Sequence, residues 1–274
     1  VPKIITSLQT GSVVSIKGSD VLVYGQQLSD LEFEPAVFVE KGTDTEVKGT
    51  LSWKEPSYVP DITGIQGVQT GTAQWVFMPD NSDKYDEFTG TAEYVVTKAS
   101  PEVELPTADT VIYNEQTTLG SVKLNGGAAS AVVGGNTVTV AGTWRWKDTS
   151  TVPFVGNGGF MAVFTPDDTV RYNTVERTVA VEVEQAENAP DMPSAVMSVP
   201  RSCRKVGDVE LPAGWQWRDA DIESILGETP VEAEAVYIRD DSFNYKNITV
   251  MVAVNIVPKI ITSLQTGSVV SIKG

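Results

Sequence analysis

Gly142-Thr-Trp-Arg-Trp146-Lys-Asp148 is the stretch from which this chain's fold is read. Residues two apart on a strand share a face, so Trp144 and Trp146 point one way and Thr143 and Arg145 the other. The stretch recurs as Gly49-Thr-Leu-Ser-Trp53-Lys-Glu55 and as Ala213-Gly-Trp-Gln-Trp217-Arg-Asp219. Each copy is followed by a matching partner. These are Trp75-Val-Phe77-Met-Pro-Asp80-Asn81 with Tyr85, Ala162-Val-Phe164-Thr-Pro-Asp167-Asp168 with Tyr172, and Ala235-Val-Tyr237-Ile-Arg-Asp240-Asp241 with Tyr245. Three diverged repeats are therefore expected.

Between these landmarks the texture is that of strands. Thr178-Val-Ala-Val-Glu-Val-Glu184 alternates, Ile248-Thr-Val-Met-Val-Ala-Val254 is β-branched, and turns rich in Gly, Asn, Asp and Pro divide the rest. No window carries a sustained helical period with caps at both ends. The chain reads as all-β. Lys98-Ala-Ser-Pro101, Gln185-Ala-Glu-Asn-Ala-Pro190 and Asn255-Ile-Val-Pro258 each follow a closing strand and carry a proline, which suits a short, stiff junction. The expected repeats are 1–98, 99–186 and a shorter 187–256, with 257–274 beginning another.

That last boundary rests on an identity. Val1–Gly18, VPKIITSLQTGSVVSIKG, returns unchanged as Val257–Gly274, a period of 256 residues (257 − 1). The expectation is a tandem array in which the segment belongs to the first repeat of each period. Its second copy would leave Ile260, Ile261, Val269, Val270 and Ile272 without their usual neighbours. The identical place on another molecule and the third repeat are both open to it.

Composition narrows the functions. With 20 basic against 36 acidic residues the net charge is −16, which argues against nucleic acid or an anionic membrane as a partner. No stretch approaches the roughly 18 continuous apolar residues of a spanning helix, so membrane insertion of this segment is not expected. The chain has no histidine, which removes Ser-His-Asp and Cys-His catalysis and most zinc sites. Its one cysteine, Cys203, forms no internal disulfide. Flanking Arg201, Arg204 and Lys205 could activate the thiol, but a half-buried strand residue is the plainer reading.

The pattern Tyr24-Gly-Gln-Gln-Leu28 (loosely Tyr113-Asn-Glu-Gln-Thr-Thr-Leu119), then Gly-x-x-x-Trp-basic-acidic, then Phe-x-Pro-Asp-Asp/Asn with its Tyr, resembles Ig-like repeat modules of long Gram-positive surface proteins. The third repeat departs from it, with Cys203-Arg-Lys-Val-Gly207 at the opening and Arg239 for the proline. The resemblance covers nearly the whole chain. It implies three immunoglobulin-like β-sandwiches in tandem, elongated, serving as a spacer or adhesive stalk with no catalytic residues to transfer.

Two residue sets invite a functional reading. The tryptophans are candidates for a sugar platform, but Leu51 stands where the other repeats have Trp144 and Trp215, and a place that accepts Leu or Trp behaves as core. Asp80 to Asp83, Asp167-Asp168 and Asp240-Asp241 are candidates for calcium, but they lack the spaced ligand run of a calcium loop, and Asp and Asn are ordinary turn formers. Tyr85, Tyr172 and Tyr245 would then plug each sandwich end as a tyrosine corner does. A two-carboxylate hydrolase needs no histidine, yet three similar repeats would imply three sites. Asn247-Ile-Thr249 matches a glycosylation sequon, incidental in a strand.

The expectation is therefore a structural region of an extracellular, cell-surface or cell-wall adhesin, with no catalytic, cofactor or metal residues. Its partners would be the neighbouring repeats of the same chain, with a host protein or glycan as the alternative.

Overall fold

The structure is a computed structural model that describes residues 8–187, 191–200, 202–223 and 230–257. It is built of strands, as the sequence predicts, and among the described residues the helical pieces are three single 3₁₀ turns, Leu28–Asp30, Leu119–Ser121 and Val206–Asp208. The expectations placed on 1–7, 188–190 and 258–274 lie outside the described residues. The chain divides into two compact bodies, 8–109 with 118–151 and 158–181, and 110–117 with 152–157 and 182–257. This division does not follow the repeat boundaries.

In the first body a four-stranded sheet runs in the order Val21–Val23, Phe88–Thr97, Val68–Pro79, Gly49–Trp53. The entry strand lies parallel to the closing strand, Val21 opposite Val95 and Val23 opposite Thr97, and the other pairs are antiparallel. Alternation buries Trp75 and Phe77 on one strand and Tyr94 and Val96 on its neighbour. A second sheet, Leu8–Thr10, Phe38–Glu40 and Glu46–Val47, contributes to the same core. There Phe38 stacks on Phe77 at 3.9 Å and meets Trp75 at 5.8 Å.

The same body holds the corresponding strands of the second repeat. Gly142–Trp146, Phe160–Pro166 and Val175–Val179 form one sheet, and Glu102–Glu104, Ala128–Val133 and Asn136–Thr139 another. Gly134 and Gly135 turn the latter hairpin with φ of 58° and 80°, the double left-handed geometry of a tight two-residue turn.

The second body repeats the four-strand order as Val196–Pro200, Ile248–Val257, Val231–Tyr237 and Trp215–Trp217, again with a parallel first pair. It also pairs Val111–Ile112 in parallel with Val183–Glu184. Among the described residues, 191–257 form this one sheet, where the sequence predicts a sandwich. The reason lies in the spacing. Chain enough for a hairpin separates Leu31 from Leu51 and Val122 from Trp144, whereas Val209 runs almost directly into Trp215. Here Val209, Leu211 and Cys203 pack on the sheet face formed by Trp215, Ala235, Val252 and Val254.

Candidate functional site: the tyrosine turns

Each Trp strand is fixed by one recurring bond. The indole N–H of Trp53 donates to the Leu31 carbonyl at 2.8 Å, that of Trp146 to Val122 at 2.8 Å, and that of Trp217 to Val209 at 2.9 Å. All three acceptors immediately follow a 3₁₀ turn whose first residue, Leu28, Leu119 or Val206, is almost wholly buried. The indole satisfies a carbonyl that the short turn leaves without an intrahelical donor. Trp53 and Trp146 are 4% and 7% exposed, so neither offers a ring face for sugar stacking. A shallow groove of about 380 Å³ runs past Lys123, Asn125, Trp144 and Arg145.

The acidic clusters make turn hydrogen bonds. Asn81, Asp168 and Asp241 occupy one position, four residues before Tyr85, Tyr172 and Tyr245. Asn81 Oδ1 accepts the Lys84 N–H, Asp168 Oδ1 accepts those of Val170 and Arg171, and Asp241 Oδ1 accepts that of Asn244, at 3.1–3.2 Å. Among the described residues no group of three or more Asp, Glu or Cys side chains is placed to hold a metal ion.

These turns deliver each tyrosine to the strand leaving the preceding repeat. Ala99, just past the closing strand, forms a parallel bridge with Tyr172: its N–H donates to the Arg171 carbonyl at 2.9 Å, and its carbonyl accepts the Asn173 N–H at 2.8 Å. The Tyr172 ring meets Tyr24 edge to face at 5.5 Å, and Tyr24 packs against two hydrophobic clusters of this body. A tyrosine corner would stay within its own sandwich, whereas Tyr172 also reaches the first repeat.

Arg171 closes the arrangement. Its Nε and Nη2 bind both oxygens of Asp61 at 2.6 Å, Nη1 binds Asp168 at 2.9 Å, and the guanidinium lies 5.6 Å from the Tyr24 ring centre. The Arg171 hydrogen bonds hold Asp61 below the usual carboxylate range. Burial pushes Asp168 upward, but its bonds to the Arg171 side chain and to backbone N–H groups outweigh that and leave it lowered. Burial raises Tyr24 and Tyr172. Nearby, the Gly25 carbonyl accepts the Gly134 N–H at 2.8 Å. A Cβ on Gly25 would fall 2.2 Å from the Val132 carbonyl oxygen, and its φ of 99° already favours glycine.

The second body contains the same device with different side chains. Ala186 forms a parallel bridge with Tyr245, donating to the Asn244 carbonyl and accepting from the Lys246 N–H, both at 2.9 Å. Tyr113 takes the part of Tyr24, meeting Tyr245 at 5.2 Å and 86°. Asn244 stands where Arg171 stood, linking Asp241 at 2.8 Å to the Val155 N–H at 2.9 Å. Arg239, the residue replacing proline, lies 3.7 Å over the Tyr245 ring, and the Tyr245 hydroxyl donates to Glu115 at 3.2 Å. The segments 110–117 and 152–157 group with this body because Tyr113, Glu115 and Val155 meet this turn.

Cys203 sits half-buried before the third 3₁₀ turn, with Sγ 3.7 Å from the Asp208 carbonyl. The sequence located the tyrosines and acidic turns but not their bridges to Ala99 and Ala186. The only signal was an alanine recurring at one place in two linkers.

Comparison with known families gives no match to any family model, and no curated protein matches the chain.

Proposed function

We propose that this chain is a non-catalytic spacer, three β-repeats in series, the first two immunoglobulin-like and the third reduced, forming one period of a tandem region in an adhesin-like protein on the surface of a Gram-positive bacterium. One observation carries the reading. Ala99 with Tyr172 and Ala186 with Tyr245 use the same bridge, the same Asx turn and the same edge-to-face tyrosine pair. A device that recurs while its charged partners change serves the connection of repeats rather than a reaction. The shared features are backbone bonds and an edge-to-face ring contact, which are packing rather than an arrangement of acid, base and nucleophile.

Small-angle scattering tests the proposal. A pair-distance distribution with a long tail, as from modules in a row, supports a spacer. A single compact particle overturns it.

A further inference from the structure

Asn-Gly occurs at two places in this chain, Asn125-Gly126 and Asn157-Gly158. The dipeptide is chemically labile, because glycine puts no side chain in the way of its own amide nitrogen, which can reach the carboxamide carbon of the residue before it. At Asn125 the surroundings leave that route open. Asn125 ends the short strand Leu124–Asn125, and Asn125, Gly126 and Gly127 are all exposed. Gly126 turns the chain at a φ of 69°, and nothing lies within 4 Å of where its Cβ would stand. Its N–H makes no hydrogen bond among the described residues. Asn157 is more enclosed. It is half-buried, and its N–H and Nδ2 both donate to the Phe154 carbonyl, at 3.3 and 2.7 Å.

The Asn125 amide also has a partner that matters. Its Nδ2 donates to Asp109 Oδ1 at 2.6 Å, beside a strand pair only two residues long that sets Leu124 opposite Ala108 and Asn125 opposite Thr107. The first repeat has the same junction, since the Lys17 N–H donates to the Glu32 carbonyl as the Asp109 N–H does to that of Lys123. There the side chains that cross carry opposite charges, Lys17 Nζ lying 3.2 Å from Glu32. In the second repeat a neutral amide supplies the donor.

We propose that Asn125-Gly126 is a self-modifying site, at which the Gly126 nitrogen attacks Asn125 Cγ and the product sets a second carboxylate against Asp109. As the new N–Cγ bond forms, the Cγ–Nδ2 bond breaks, and the amide leaves as ammonia with the proton lost from the Gly126 nitrogen. Water then opens the cyclic imide at either carbonyl, giving aspartate or the isoaspartate whose backbone runs through Cγ. The net change is a water gained and an ammonia lost. Either product replaces a donor by an anion facing Asp109, so attraction becomes repulsion. The isoaspartate also lengthens the backbone at the turn, where the short pair of strands has little to hold it. None of this depends on the spacer reading.

The test uses the full chain, incubated at mildly alkaline pH and then digested with trypsin under mildly acidic conditions. Mass spectrometry of the peptide Leu124–Arg145 is expected to show two products heavier by about 1 Da, with fragment ions placing the change at Asn125. Their rate of appearance should lie within about tenfold of that in the same peptide free in solution, and a slower rate overturns the proposal. The partner is tested by variants. Asn125→Asp, itself one of the products, is expected to melt below wild type at neutral pH. Adding Asp109→Asn reverses donor and acceptor and is expected to restore the melting temperature. A single variant that melts with wild type, or a double variant that melts no higher than the single, overturns the repulsion at Asp109.

Discussion

Tyr24 and Tyr172 meet edge to face, with ring centres 5.5 Å apart and planes at 88°, and Tyr24 thereby belongs to two hydrophobic clusters at once. Tyr24→Ala is expected to destabilise the chain by about 2 kcal/mol, combining lost burial of a half-exposed ring with the lost aromatic pair. Tyr24→Phe keeps the ring and should cost under about 0.5 kcal/mol on the same scale. Denaturant unfolding of both variants checks the difference.

Arg171 grips Asp61 with two bonds, but these side chains are 34% and 44% exposed, so solvent screens much of the attraction. Arg171→Gln is expected to cost about 1 kcal/mol, and the loss in wild type should shrink as salt rises. A double-mutant cycle with Asp61→Asn isolates the pair, and a coupling near zero would refute its role.

The Trp146 indole serves a carbonyl that has no alternative donor in its short turn. Trp146→Phe preserves most of the apolar volume and removes the N–H, so it should cost about 1–3 kcal/mol, the penalty of one buried unsatisfied group. Trp146→Ala should cost more, about 3–5 kcal/mol, through the cavity it leaves. Equal losses in the two variants would show that volume alone matters.

Asp148 accepts the Ser150 hydroxyl, the Ser150 N–H and the Thr151 hydroxyl, and these bonds lower its pKa to about 2. A carboxylate depressed in the folded state contributes stability that is present above its unfolded value, near about 4. That contribution fades as pH falls toward 2. Carbon-detected NMR titration should place the Asp148 midpoint near 2. The stability of Asp148→Asn should vary less than wild type across this window.

Gly25→Ala would place a methyl group on the Val132 carbonyl oxygen at a left-handed φ. Conformational strain and the clash together should lower stability by about 1–3 kcal/mol. Gly18→Ala, also at positive φ but with open space around it, should cost only the strain. Thermal unfolding of the pair separates the two effects.

The strands and the equivalence of the three Trp segments were legible because alternation and a large, rare side chain leave a mark at fixed short spacing. Trp144 opposite Phe164 and Trp215 opposite Tyr237 follow from those marks. The 3₁₀ turns were not legible, because Leu28-Ser-Asp30 becomes meaningful only when Trp53 returns to the carbonyl that follows it. That the described residues of the third repeat form one sheet fits the short interval between Val209 and Trp215, although the resemblance to a sandwich pointed elsewhere. Bridges at Ala99 and Ala186 depend on backbone atoms, which carry no signature in residue type.

The entry strand Val21–Val23 lies parallel to Val95–Thr97, and the same holds for Val111–Ile112 and for Val196–Pro200 beside their closing strands. Tension applied where the chain enters and leaves such a pair pulls the two strands in opposite directions along their common axis. All the hydrogen bonds between them are then loaded together in shear instead of opening one at a time. A parallel pair of this kind resists such a pull as one unit.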